Sequence, residues 1–105
     1  MGYYTRYELE VIGIDSSSAA KTTKAVAEQI IHLCEGYTPF VEECKWYEHD
    51  EHMIEVSKNF PEHILMLYGE GEEAGDIWKT YYYNGKKQQC PAKITYDDFD
   101  PKKLK

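Results

Sequence analysis

Basic residues are almost missing from the middle of this chain. Between Glu42 and Asp76 there are eleven acids against two bases, Lys45 and Lys58, a net −9 within a total of −7, which leaves +2 for the remainder. Such a stretch repels phosphate backbones and argues against direct nucleic-acid binding. It fits either plain solubility or attraction to a protein with a basic surface. No run approaches the roughly 18 apolar residues of a membrane span, so no membrane role is expected. MGYYTRYELEV has no basic segment leading into an apolar one, so a secretory signal is not expected there. Arg6 stands where a myristoylation motif has Ser or Thr. The three cysteines, Cys34, Cys44 and Cys90, form no CxxC pair. That scatter suits reduced thiols in the cytoplasm better than a disulfide framework. Cys34 and Cys44 read as small buried hydrophobes, and Cys90 as the most exposed thiol.

What is present is the patterning of one small domain. At 105 residues the chain can build a single core. Tyr3 to Ile12 alternates, with Thr5, Tyr7, Leu9 and Val11 on one face and Arg6, Glu8 and Glu10 on the other, which predicts a half-buried strand. Asp15 to Ser18 supplies N-caps for a helix over 19–35, with Gly36 at its C′ position. Residues 40–47 read as a second strand. A second helix is predicted over 48–60, with Asp50 as N-cap and Met53, Ile54, Ser57 and Phe60 as its inner stripe. The run ILMLY, 64–68, predicts a central strand. Two more strands, 76–83 and 86–96, flank Asn84-Gly85, the signature of a type I′ hairpin turn. Pro91 places the last of these at an edge. The expected fold class is therefore α+β: a single antiparallel or mixed sheet with two helices on one face, ferredoxin-like, in the order β-α-β-α-β-β-β. The domain would span 1–96, followed by a polar tail over 97–105 that Phe99 and Leu104 could pin.

Three stretches invite chemistry. Gly69-Glu-Gly-Glu-Glu-Ala-Gly75 is spaced unlike a dinucleotide fingerprint and precedes a strand, so it has no helix N-terminus for a phosphate. Its carboxylates Glu70, Glu72, Glu73 and Asp76 match no EF-hand spacing. We read the segment as a solvated hairpin loop whose glycines supply unusual φ values. His49-Asp-Glu-His52 could offer two metal ligands, yet the HExxH order is lacking. Ser16 to Ser18 look like caps and not nucleophiles. No cofactor, metal site or catalytic residue is therefore expected. The aromatics remain: ten tyrosines, with Tyr81-Tyr82-Tyr83 in one strand. Alternate rings must face opposite sides, and exposed ones could be interface anchors, stack a nucleotide, or only stabilise the sheet.

The stretches CKWYEHDEHMIEVSKNFP and LYGEGEEAGDIWKTYYYNGK resemble the YubB-like ferredoxin-like domain of phages and conjugative elements. The matching pieces are Lys45-Trp46, Phe60-Pro61, Tyr68 to Glu73 and Ile77 to Gly85. The resemblance covers about the C-terminal two-thirds of the chain. It implies a fold and a phage or mobile-element setting in a bacterial cytoplasm, and it brings no agreed biochemical activity.

Together these readings lead to an expectation of a non-enzymatic, acidic interaction protein that binds a host or element-encoded protein through that protein's basic surface. Inhibition of a nucleic-acid-handling or defence protein is one version. The expected binding residues are Glu70, Glu72, Glu73, Asp76, Trp78, Tyr81 and Tyr83, joined by Glu48, Asp50, Glu51 and Glu55 on the second helix. The alternative is a small-ligand, nucleotide-like binder that uses the tyrosine-rich strand. The sequence leaves the oligomeric state open.

Overall fold

The computed structural model describes residues 3–13 and 15–105; Met1, Gly2, Ile14 and the side chain of Ser16, one of the cap candidates, lie outside the description. The elements are β1 (Thr5–Ile12), α1 (Ser16–Leu33), α2 (His49–Ser57), β2 (Ile64–Gly71), β3 (Ile77–Tyr83) and β4 (Lys86–Pro91), closed by a 3₁₀ turn at Pro101–Lys103. The fold is α+β. Its four strands form one antiparallel sheet in the order β1-β2-β3-β4.

The expected strand over 40–47 is not there, so the order is β-α-α-β-β-β. Only Cys44 pairs with the sheet, through two backbone bonds to Thr5 of 2.9 and 3.0 Å. The segment cannot continue along β1, because the Trp46 carbonyl is turned towards the Tyr7 hydroxyl and the His49 ring. Trp46 itself is buried. Its apolar residues thus act as a plug and not as a strand: Val41 is exposed while Pro39, Cys44 and Trp46 are buried.

The core lies on one side of the sheet. Tyr7 and Val11 of β1, Leu65 and Leu67 of β2 and Tyr82 of β3 cluster with Val26 and Ile30 of α1 and Met53 and Val56 of α2. Burying each such aliphatic side chain contributes about 1.5–3 kcal/mol. The other side carries Arg6, Glu8, Glu10, Tyr68, Tyr81, Tyr83 and the buried Met66, and among the described residues no helix contributes core side chains to it.

The ends of the elements follow from local chemistry. Asp15 caps α1, accepting from the Ser18 amide at 3.0 Å. At its other end the Glu35 amide bonds the His32 carbonyl and the Gly36 amide bonds that of Ile31, a Schellman closure. Glu35, and not Gly36, therefore occupies C′, with φ +57. Asp50 does not cap α2; Glu48 stands at that position without a side-chain bond. Asn84 and Gly85 both have positive φ, as the type I′ turn requires. That turn is tied down, since the buried Ser57 hydroxyl accepts from the Gly85 amide at 2.8 Å and donates to the Ile54 carbonyl at 2.7 Å. β4 stops at Pro91 and does not reach Tyr96. Phe99 and Leu104 are exposed, so neither pins the tail.

Candidate functional site

The glycines of β2 act through space and not through φ. Gly69 and Gly71 carry no positive φ; within 69–75 only Gly75 does. Both face the helix side of the sheet, in line with Thr5 and Tyr7 on β1 and Trp78 on β3. A Cβ at Gly69 would collide with the Trp78 indole, and one at Gly71 with the Asp76 carboxylate and the Tyr3 ring. The alternation Gly-Glu-Gly therefore leaves a trough in the sheet into which aromatic rings are laid.

Those rings pack on one another beyond the helices. Tyr7 meets Trp46 edge-on at 5.1 Å between centroids, Phe40 meets Trp46 at 5.6 Å, and His49 stacks on Trp78 at 5.2 Å. Trp78 is thereby held between His49 and Gly69. The Tyr7 hydroxyl donates to the Trp46 carbonyl at 3.2 Å, and burial pushes its pKa up to about 12, so it remains a donor. Above this floor stand Tyr3 and Tyr47, joined by a 3.0 Å bond from the Tyr3 amide to the Tyr47 hydroxyl. Rings, Thr5 and Asp76 line a half-open cavity of about 210 Å³.

Its electrostatics are one-sided. The Tyr3 hydroxyl donates to Asp76 Oδ2 at 2.6 Å and accepts from the Glu73 amide at 3.0 Å. The bond to Asp76 raises the Tyr3 hydroxyl above its ordinary pKa. The Tyr4 amide donates to Glu72 Oε1 at 2.8 Å. The acidic loop is thus fastened to the start of β1. Among the described residues no Lys or Arg nitrogen comes within 4.0 Å of Glu72, Glu73 or Asp76. Three other acids have basic partners: Glu70 with Arg6 at 3.3 Å, Asp50 with Lys87 at 2.6 Å and Glu55 with Lys58 at 3.8 Å.

The seven expected binding residues therefore fall into two places. Asp76 and Trp78 line the cavity, with Glu72 and Glu73 at its rim. Glu70, Tyr81 and Tyr83 lie on the opposite, open side of the sheet. Trp78 cannot join Tyr81 and Tyr83 in one anchor set, because strand alternation sends it to the other face. On α2, Glu48, Glu51 and Glu55 are exposed, whereas Asp50 is drawn inward to Tyr82 and Lys87.

The two α2 histidines share a tryptophan. His49 Nδ1 lies 2.9 Å from the Trp46 carbonyl, and His52 Nδ1 accepts from the Trp46 indole N–H at 2.9 Å. No group of three or more His, Cys, Asp or Glu side chains able to hold a metal occurs among the described residues. The Cys34 thiol comes within 3.7 Å of His52 Nδ1, a pairing the sequence did not suggest. That nitrogen's lone pair already serves the indole. Burial pushes the Cys34 thiol up, away from the thiolate form a nucleophile needs.

Sequence reasoning missed Tyr3, Tyr7, Trp46 and Tyr47 as pocket residues. The available signal was Gly69-Glu-Gly71 at strand spacing opposite a tryptophan, which marks a place where rings lie on backbone. No protein-family model, curated protein or solved structure matches the chain. No helix among the described residues is long and apolar enough to cross a membrane.

Proposed function

We propose that this chain is a non-enzymatic binding module that docks a protein partner bearing a basic surface, using the loop between β2 and β3 and the pocket behind it. One observation carries the reading: the Glu72 and Asp76 carboxylates are held by the Tyr4 amide and the Tyr3 hydroxyl, and Glu73 by its backbone amide, with no basic side chain of the chain's own within 4.0 Å among the described residues. The fixed carboxylates of Glu72 and Asp76 lose little side-chain freedom on binding, and the charge of all three acids is available to a partner. The reading is non-enzymatic, and among the described residues the thiol beside a histidine, Cys34, is shifted away from the thiolate a nucleophile needs. A kinship to YubB-like domains, and with it a host or mobile-element partner in a bacterial cytoplasm, belongs to the same proposal. It rests on the stretches that supply Trp46, Gly69, Gly71 and Trp78.

The test compares affinity capture from bacterial lysate by the native chain and by the double variant Glu72→Lys, Glu73→Lys. A basic protein retained by the native chain at low salt, released at high salt and lost with the variant is the expected result. Identical captures by both would end the acidic-docking reading. A second reading, a nucleotide-like ligand stacked on the open face, is favoured by the absence of a helix over Tyr81 and Tyr83. It requires a ligand-induced rise in Tm that Tyr81→Ala abolishes.

A further inference from the structure

The docking reading leaves open what enters the pocket, and the inference here rests on that reading. We propose that the cavity between Tyr3, Tyr47 and the Trp46–Trp78 floor receives a methylated ammonium head, carried on a lysine side chain of the partner.

Size, charge and hydrogen bonding converge on that group. Aromatic rings attract cations, most strongly when water is excluded. The cavity of about 210 Å³ accommodates a nitrogen with three methyl groups, given about 30 Å³ for each water-sized group. Asp76 supplies a counter-charge that no lysine or arginine of the described chain takes up. Lys45 sits over the Tyr4 ring at 5.1 Å and does not line the cavity.

Hydrogen-bond acceptors are few beside so many rings. The Trp46 carbonyl already faces the Tyr7 hydroxyl and His49 Nδ1, and Asp76 Oδ2 holds the Tyr3 hydroxyl. A bare ammonium brings three donors and a guanidinium five, which must all be matched by the few acceptors left, Asp76 Oδ1 and the Thr5 and Tyr47 hydroxyls. A trimethylammonium head brings none. Its charge is spread over methyl groups that suit ring surfaces. The choice of a side chain over a free ligand follows from the rim. Glu72 and Glu73 are exposed just outside the cavity, where they can meet basic neighbours of the modified lysine.

Both tryptophans of the chain, Trp46 and Trp78, line the cavity, so intrinsic fluorescence reads it directly. The native chain is titrated with tetramethylammonium chloride and, at matched ionic strength, with ammonium chloride. It is then titrated with a lysine-rich peptide carrying one trimethyllysine and with its unmodified twin. Expected are a saturable response to tetramethylammonium alone and about tenfold tighter binding of the modified peptide. Tyr47→Ala, which removes an exposed wall, should erase that preference, and so should Asp76→Asn. Tyr83→Ala on the opposite face should leave it intact.

No saturable tetramethylammonium response, or a preference that survives both pocket variants, would overturn the proposal. If both peptides bind equally and Glu72→Lys, Glu73→Lys abolishes both, docking stands and the methylammonium pocket falls. If tetramethylammonium saturates while neither peptide binds, the docking reading falls, and the lysine-borne ligand falls with it.

Discussion

At one end of the helix-covered side of the sheet, Val11, Leu65 and Tyr82 share a core with Val26, Ile30, Met53 and Val56. At the other end, Trp78 lies over Gly69 and against Tyr7, and Tyr7 meets Trp46, from a connection that is neither helix nor strand. The first end is filled by aliphatic side chains from both layers. The second is hollowed by glycines and roofed by rings, and it retains a cavity. Close packing explains why the two ends differ in what they tolerate: one fails when atoms are removed, the other when atoms are added.

Two substitutions on one strand break that comparison most directly. Leu65→Ala should lower the unfolding free energy by about 2–5 kcal/mol, because a fully buried side chain leaves a void. Gly69→Ala should cost about 1–3 kcal/mol by driving the Trp78 indole off its backbone seat. Urea denaturation followed by circular dichroism measures both. The second should also change tryptophan fluorescence in the folded state, which the first should leave nearly alone. A neutral Gly69→Ala would mean that the ring does not need the trough.

The two ends were unequally legible in the sequence. The alternation of Thr5 to Val11 found its face, because period and burial agree there, while the run Ile64 to Tyr68 found a central strand but no face, because an unbroken apolar run has no period. Asn84-Gly85 found its turn, because two positive φ values leave few choices of residue. The pocket escaped because it depends on pairings far apart in sequence: Tyr3 with Asp76, Tyr7 with Trp46, Tyr3 with Tyr47. The segment 40–47 misled because a short apolar and aromatic stretch serves a plug as well as a strand. Loop acids that read as solvated are fastened to β1 by tyrosines, for which no local pattern exists.

A second comparison sets Asp50 against Asp76, since each accepts a tyrosine hydroxyl but only Asp50 also holds a lysine. Burial opposes the Asp50 charge, yet hydrogen bonds from Lys87 and Tyr82, helped by His49, outweigh it and hold the carboxyl below its ordinary 3.8. Tyr82, pushed well above its ordinary value first by burial and then by Asp50, stays a donor throughout. A carboxyl depressed on folding stabilises the native state above its unfolded value and loses that contribution as pH falls through the folded one. Tyr82→Phe should therefore cost about 1.5–3 kcal/mol at neutral pH. Asp50→Asn should flatten the loss of stability below about pH 4. An unaltered acid limb in Asp50→Asn would show that the Tyr82–Asp50–Lys87 latch does not hold α2 to β3 and β4.

The smallest effect lies where the chain leaves the aliphatic end for the aromatic one. Glu35 closes α1 at φ +57, a conformation that costs an ordinary L-residue about 1 kcal/mol and glycine almost nothing. The Schellman bonds to His32 and Ile31 are made by backbone and survive the change. Glu35 is exposed and sits at the negative end of the helix dipole, so its side chain adds a further unfavourable charge. Added glycine freedom in the unfolded chain works the other way. Glu35→Gly should therefore raise stability by a few tenths to about 1 kcal/mol, read as a higher urea midpoint at unchanged slope. Because the change stays at the helix end, the fluorescence of Trp46 and Trp78 should not move. A drop in stability would show that unfolded-state entropy outweighs the strain at C′, and a shift in fluorescence would show that α1's closure sets the position of the 40–47 plug.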